Sequence, residues 1–185
     1  MLYYTASAEL AVKQQEWVKA APLLEQALKY VSKPQRTRLN FILGQVYSRM
    51  GQKELAYKAY KKAGSSASAT YRTKFNARIK QSEVYTGQNI NSEVRSLQRM
   101  ARLDRNKESL DQIYYAIGNL YLSRRDTANA IKNYEAAINI NPSNALTLNN
   151  FAYFLCTHKK DRIDDAARMA EMALAADPDN GSYLD

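Results

Sequence analysis

Between Asp111 and Asn144 the apolar residues recur every three or four positions, pause once, and recur again. That period predicts two amphipathic helices joined by a short turn. With Asp111 numbered as position 1, Tyr114, Ile117 and Tyr121 stand at 4, 7 and 11, and Gly118 stands at 8. Ala130, Tyr134 and Ala137 follow at 20, 24 and 27, and Pro142 falls at 32. Small residues at 8, 20 and 27 let two antiparallel helices approach closely, and the larger residues fill the space around them. Proline at 32 stops the second helix. One hairpin cannot bury its own apolar face, so neighbours of the same kind are required.

The rest of the chain supplies them. Residues 37–70 repeat the spacing without gaps, with Leu43, Gly44, Tyr47, Gly51, Ala56, Tyr60 and Ala63 at 7, 8, 11, 15, 20, 24 and 27. Gly51 marks the interhelix turn, and Glu54 and Lys58 are spaced to pair along the second helix. The Gly64–Ser68 stretch has no helix-ending proline and is expected to be a flexible joint. Residues 1–36 carry Ala8, Ala20, Leu24 and Ala27 in register. Trp17 is expected to pack across the Gln14–Trp17 turn, and Pro34 to follow the second helix.

Residues 71–110 are degenerate. Phe75, Ile79 and Val84 give one apolar stripe, Gly87 and Asn89 a turn, and Val94, Leu97, Ala101 and Leu103 a second stripe. Gly44 and Gly118 are 74 residues apart, so this unit runs six residues beyond a 34-residue period. Residues 145–180 place Phe151, Ala152 and Leu155 on a first helix and Ala166, Ala170 and Ala173 on a second. Pro142 to Pro178 is 36 residues, which puts a two-residue insertion near 158–163. Residues 181–185 read as the start of a further unit or a tail. The expectation is an all-α solenoid of about five helix-turn-helix units forming a single array over 1–185. No polar cap follows the last unit, so the chain is expected to be a piece of a longer array, with its C-terminal face open to homodimer formation.

The net charge of +9 is unevenly distributed. Residues 37–70 and 71–110 carry +5 each, 111–144 are neutral and 145–185 carry −3. Such asymmetry suits an acidic partner at one end, or a solvated surface with no partner for its charge. No run approaches the roughly 18 apolar residues of a membrane span. The first ten residues lack the basic and apolar parts of a secretory signal, and a single cysteine, Cys156, excludes an internal disulfide.

The spacing, strongest in 37–70 and 111–144, resembles the tetratricopeptide repeat family over the whole chain. The resemblance implies a right-handed superhelix whose first helices line a concave groove that binds a peptide or protein segment. The stretches FNARIKQSEVY, LDQIYYAIGNLYL and LNNFAYFL further resemble tetratricopeptide lipoproteins of Bacteroidota. A periplasmic or outer-membrane-anchored full-length protein would follow from that likeness, and a cytoplasmic one without it. Groove positions 2, 5, 9, 12 and 13 carried onto this chain give Arg38, Phe41, Gln45, Ser48 and Arg49 in the second unit. In the fourth they give Gln112, Tyr115, Asn119, Leu122 and Ser123, and in the fifth Leu146, Asn149, Tyr153, Cys156 and Thr157. Amides, tyrosines and arginines together hold an extended peptide through backbone hydrogen bonds and aromatic contacts. One family subtype clamps a C-terminal carboxylate. Asn119 and Asn150 fit two of its positions, but Tyr115 replaces a lysine and the third unit is missing, so a clamp is not expected.

No enzyme is expected, and no cofactor or metal. The only histidine, His158, lies near Cys156, but one Cys and one His fall short of a zinc site, and no phosphate-binding glycine loop is present. Asp164 is spaced to pair with Arg168. The rival to a protein scaffold is nucleic-acid binding through the basic residues 37–110, with Arg95, Arg99 and Arg102 along one helix face. Against it, most tyrosines fall at packing positions, where their rings are not free to stack on bases.

Overall fold

The computed structural model describes residues 2–179, and the 181–185 segment expected to open a further unit lies outside the described residues. These form ten α-helices and two 3-10 helices, with no strand among the described residues. The chain divides into two compact units, Met1–Gln88 and Asn89–Asp185.

The first unit contains α1 (Leu2–Lys13), α2 (Trp17–Ala27), α3 (Lys33–Arg49), α4 (Lys53–Ser65) and α5 (Tyr71–Glu83). Helices α1 with α2 and α3 with α4 pack as hairpins, and α5 packs on α4. The second unit contains α6 (Asn91–Ala101), α7 (Leu110–Leu122), α8 (Thr127–Ile140), α9 (Ala145–His158) and α10 (Ile163–Ala176). There α7 pairs with α8 and α9 with α10. The unit boundary falls inside the degenerate 71–110 stretch, between its two helices.

The core follows the small-residue positions. Ala8, Ala20, Ala56, Ala63, Ala130 and Ala137 are all fully buried. Glycine at position 8 meets tyrosine at position 24 in both regular hairpins. A Cβ on Gly44 would stand 2.6 Å from the Tyr60 ring, and one on Gly118 would stand 2.8 Å from the Tyr134 ring. Only the absence of a side chain lets these helices come together at this separation.

The turn at the end of the first helix is also shared by three hairpins. Position 15 has a left-handed backbone in three hairpins, with φ of 58° at Gln15, 71° at Gly51 and 59° at Arg125. The next amide in each case reaches back five residues: Glu16 to the Ala11 carbonyl at 2.9 Å, Gln52 to Tyr47 at 2.9 Å and Asp126 to Tyr121 at 3.1 Å. This is a Schellman ending, which satisfies carbonyls the helix would otherwise leave open. Trp17 starts α2 directly after it and packs, half-buried, against the first unit's core.

Both expected insertions take the form of 3-10 turns. The six extra residues appear as a 3-10 helix over Asp104–Ser109, pinned by buried Asn106, whose amide donates to the Met100 carbonyl at 2.7 Å. The second insertion is a 3-10 turn over Lys160–Arg162, leading directly into α10.

Pro34 follows α2, which stops at Ala27, and sits in the first turn of α3, where its missing N–H costs nothing. Three expectations are corrected. Leu103 lies beyond the end of α6 on extended backbone. Arg168 pairs with Asp165 at 2.9 Å, three residues back, in place of Asp164. The Gly64–Ser68 joint is tied down: the Thr37 hydroxyl donates to Ser66 Oγ at 2.6 Å and lies 3.1 Å from Ser68 Oγ.

The same job falls to position 1 of the regular hairpin in the second unit. Asp111, 3% exposed, accepts from the Asn141 amide at 2.9 Å and the Asn144 amide at 2.8 Å on one oxygen. In both hairpins the first residue therefore fixes the loop after the second helix. Asn144 also caps α9 by accepting from Thr147 N–H at 3.1 Å.

Candidate peptide-binding faces

On α3 the expected positions divide by environment. Arg38, Gln45 and Arg49 are exposed, and Arg38 lies 3.8 Å from Glu9 of α1. Phe41 is half-buried and packs edge-on against Tyr60, with ring centroids 5.5 Å apart. Ser48 donates to the Gly44 carbonyl at 2.8 Å and lies 3.3 Å from the Tyr60 hydroxyl. Burial raises the Tyr60 pKa above its ordinary value, so this ring is a neutral part of the wall. Arg38, Gln45 and Arg49 thus offer charge and amide chemistry to solvent, while Phe41 and Ser48 brace the helix pair behind them.

In the second unit, two of the expected α7 residues are held by internal hydrogen bonds. The Asn150 amide donates to the Tyr115 hydroxyl at 2.7 Å and so joins α7 to α9. The Tyr115 ring lies 5.9 Å from that of Tyr134, whose hydroxyl donates to the Asn119 side-chain oxygen at 2.6 Å. Tyr134 is 1% exposed, and burial raises its pKa, followed by the influence of Tyr115. Both asparagines that matched carboxylate-clamp positions therefore hold tyrosine hydroxyls within the fold.

What α7 and α9 present outward is different. Gln112 is exposed and Asn149 half-buried. Leu146 and Tyr153, seven residues apart on α9, are 55% and 71% exposed. On α9 an isobutyl group, the Asn149 amide and a large ring, three and then four residues apart, form an amphipathic strip, the kind of surface that contacts a polypeptide backbone and its side chains together.

His158 and Arg162 make contacts within the second unit. His158 stacks on Phe154 at 5.0 Å, and its Nδ1 lies 2.6 Å from the Thr157 hydroxyl and 3.3 Å from the Phe154 carbonyl. Arg162, in the second insertion, bonds Glu135 of α8 and Asp165 of α10 at 2.8 Å each, and its guanidinium sits 5.9 Å from the Phe151 ring. Hydrogen bonds to those two carboxylates raise its pKa further. Among the described residues no group of three or more His, Cys, Asp or Glu could hold a metal ion, and no helix is long and apolar enough to cross a membrane. Two pairings escaped sequence reasoning. The Tyr47 hydroxyl donates to Glu25 at 2.5 Å, and Asp111 holds two asparagines; each joins residues more than twenty positions apart with no local pattern.

Comparisons with known proteins agree with this architecture. A crystal structure of MamA protein superposes with a TM-score of 0.62 at 19% identity, covering 98% of this chain and 94% of that one. A crystal structure of YrrB, described as a TPR protein with an unusual peptide-binding site, gives 0.51 at 19% identity over 98% and 88% of the two chains. An uncharacterized protein of Haemophilus influenzae is 29% identical over 110 residues, or 60% of this chain and 59% of that protein. The match thus spans about six-tenths of that relative's length. Family models described as tetratricopeptide repeat match residues 5–69 and 111–144. With its helical hairpins in the same register, the chain belongs to the tetratricopeptide repeat family.

Proposed function

We propose that the chain is a non-catalytic scaffold that holds a segment of another protein against the outward faces of its first helices. In the second unit the contact surface consists of Gln112, Tyr115, Asn149 and Tyr153, with Asn119 fixing the tyrosine network behind it. In the first unit Arg38, Phe41, Gln45 and Arg49 form the corresponding face of α3. The observation that carries this reading is the α9 strip: Leu146 and Tyr153 stay exposed beside Asn149, while Phe151 and Phe154 of the same helix are buried. Large apolar groups on the solvent side of a helix that already buries two phenylalanines suit a protein contact. Repeat arrays of this family use extended surfaces in this way. The YrrB description is consistent with peptide binding by a protein of this fold.

Tyr115 and Asn119 each hold an internal hydrogen bond, so replacing them would perturb the fold as well as the surface. The informative variant is Gln112→Ala/Tyr153→Ala, both at exposed positions. Affinity capture from native lysate, with and without nuclease, should retain a protein on the wild type that the double variant releases. Equal retention by both would remove the reading. Capture that disappears with nuclease would move the function to nucleic acid and the basic residues 37–110.

A further inference from the structure

The first unit carries a second concave feature away from the α3 positions above. A hollow of about 460 Å³ lies between α2, α3 and α4, floored by Asn40, Leu43 and Tyr47. A second, of about 270 Å³, adjoins it where α4 ends and α3 begins. Asn40 and Lys62 line both, so the two form one channel.

The chemistry along this channel is strongly one-sided. Lys29 and Lys58 line the first hollow, Lys33 and Arg36 the second, and Lys62 the junction. The one carboxylate present, Glu25, accepts the Tyr47 hydroxyl at 2.5 Å. Among the described residues no carboxylate forms an ion pair with Lys33, Arg36, Lys58 or Lys62. The far end adds a hydroxyl cluster: Thr37, Ser66 and Ser68 lie within 2.6–3.1 Å of one another. The near end is aliphatic, with Leu28, Leu43 and Leu55.

We infer that this channel docks an acidic polypeptide segment in which a bulky apolar residue adjoins carboxylates. The apolar side chain lies against Leu28, Leu43 and Leu55. The carboxylates reach Lys62, Lys33 and Arg36, where the hydroxyls of Ser66 and Ser68 add hydrogen bonds. Nucleic acid fits less well. Among the described residues the only aromatic lining the channel is Tyr47, which is 7% exposed and committed to Glu25, so no ring there is available to stack on a base. The site is separate from the α7 and α9 face, so either can fail without the other.

The test uses a fluorescein-labelled peptide of alternating glutamate pairs and leucine, its glutamine counterpart, and a thymidine oligonucleotide as competitor. Anisotropy is read on the whole chain at about 0.15 M salt, where longer-range attraction is screened. Lys33→Ala/Arg36→Ala/Lys62→Ala should weaken the acidic peptide by about tenfold or more, the sum of several modest ion pairs. The charge reversal Lys58→Glu/Lys62→Glu should do the same, which guards against one variant misfolding. Lys132→Ala, at an exposed position of α8, should leave this binding unchanged. Equal binding of the glutamine peptide, unchanged affinity in both channel variants, or equally effective competition by the oligonucleotide would each overturn the assignment.

Discussion

Gly118 lies so close to the ring of Tyr134 that a Cβ would stand 2.8 Å from it, and the ring is packed in turn against Phe151 at 5.3 Å. The ring has nowhere to retreat. Gly118→Ala is therefore expected to destabilise the second unit by about 1–3 kcal/mol through overpacking. Gly44→Ala should do the same in the first unit against Tyr60. Thermal denaturation followed by circular dichroism measures both, and melting temperatures equal to wild type would contradict the hairpin register.

The Schellman turns predict the opposite sign. Gln15 and Arg125 hold φ near +60°, a backbone that costs a side-chain-bearing residue about 1–2 kcal/mol, and glycine avoids that strain. Glycine also gains freedom in the unfolded chain, which offsets part of the benefit. Arg125→Gly and Gln15→Gly should each raise stability by about 0.5–1 kcal/mol, and Gly51→Ala should lower it by a similar amount. Urea denaturation of the three variants decides it. Loss of stability in Arg125→Gly would mean that the arginine makes a contribution outweighing the strain.

Much of the fold was legible in the sequence because steric fit is local and repetitive. Glycine facing tyrosine, alanine at the closest crossings and a proline after α8 recur at fixed spacing, and the structure places Ala20, Tyr60, Tyr134 and Ala137 in the core as that spacing predicts. The left-handed Schellman residue was visible only where it is glycine, at Gly51. Glutamine and arginine carry no signal for a left-handed backbone. The lengths of the insertions could be counted, but their 3-10 form depends on contacts such as Asn106 with Met100 that spacing does not reveal. At the candidate faces, spacing identified which helix positions to inspect. It could not separate Tyr153, which is exposed, from Asn119 and Tyr115, whose polar atoms meet partners fifteen and thirty-five residues away.

The tyrosine network predicts sensitivity to alkali. Burial, then the hydrogen bond and charge of Glu25, pushes the Tyr47 phenol up to about 12, and burial raises Tyr60 and Tyr134 in the same direction. In the unfolded chain these phenols ionise near 10. The folded state therefore keeps its protons while the unfolded state loses them. The associated stability is intact below about pH 10 and falls as pH rises toward about 12. Denaturant unfolding across that window should show a decline that is shallower in Tyr47→Phe, with phenolate absorbance appearing alongside unfolding. Identical pH dependence in wild type and Tyr47→Phe would contradict the assignment to this phenol.

Asp111 tests the pinning of the hairpin end. Replacing it with alanine leaves the amides of Asn141 and Asn144 without their shared acceptor and should cost about 1–3 kcal/mol. Asp111→Asn keeps one side-chain acceptor oxygen and should cost less. Equal stability of the alanine variant and wild type in urea would show that the two amides find other acceptors.

The proposed contact is a protein segment on the outward face of α7 and α9. Site-specific photo-crosslinking in the native source tests it most directly, with a benzophenone side chain placed at Tyr153 and, separately, at exposed Lys132 of α8. Position 153 should give a discrete protein adduct and position 132 none. An adduct from 132 alone, or adducts at 153 that consist of nucleic acid, would contradict it.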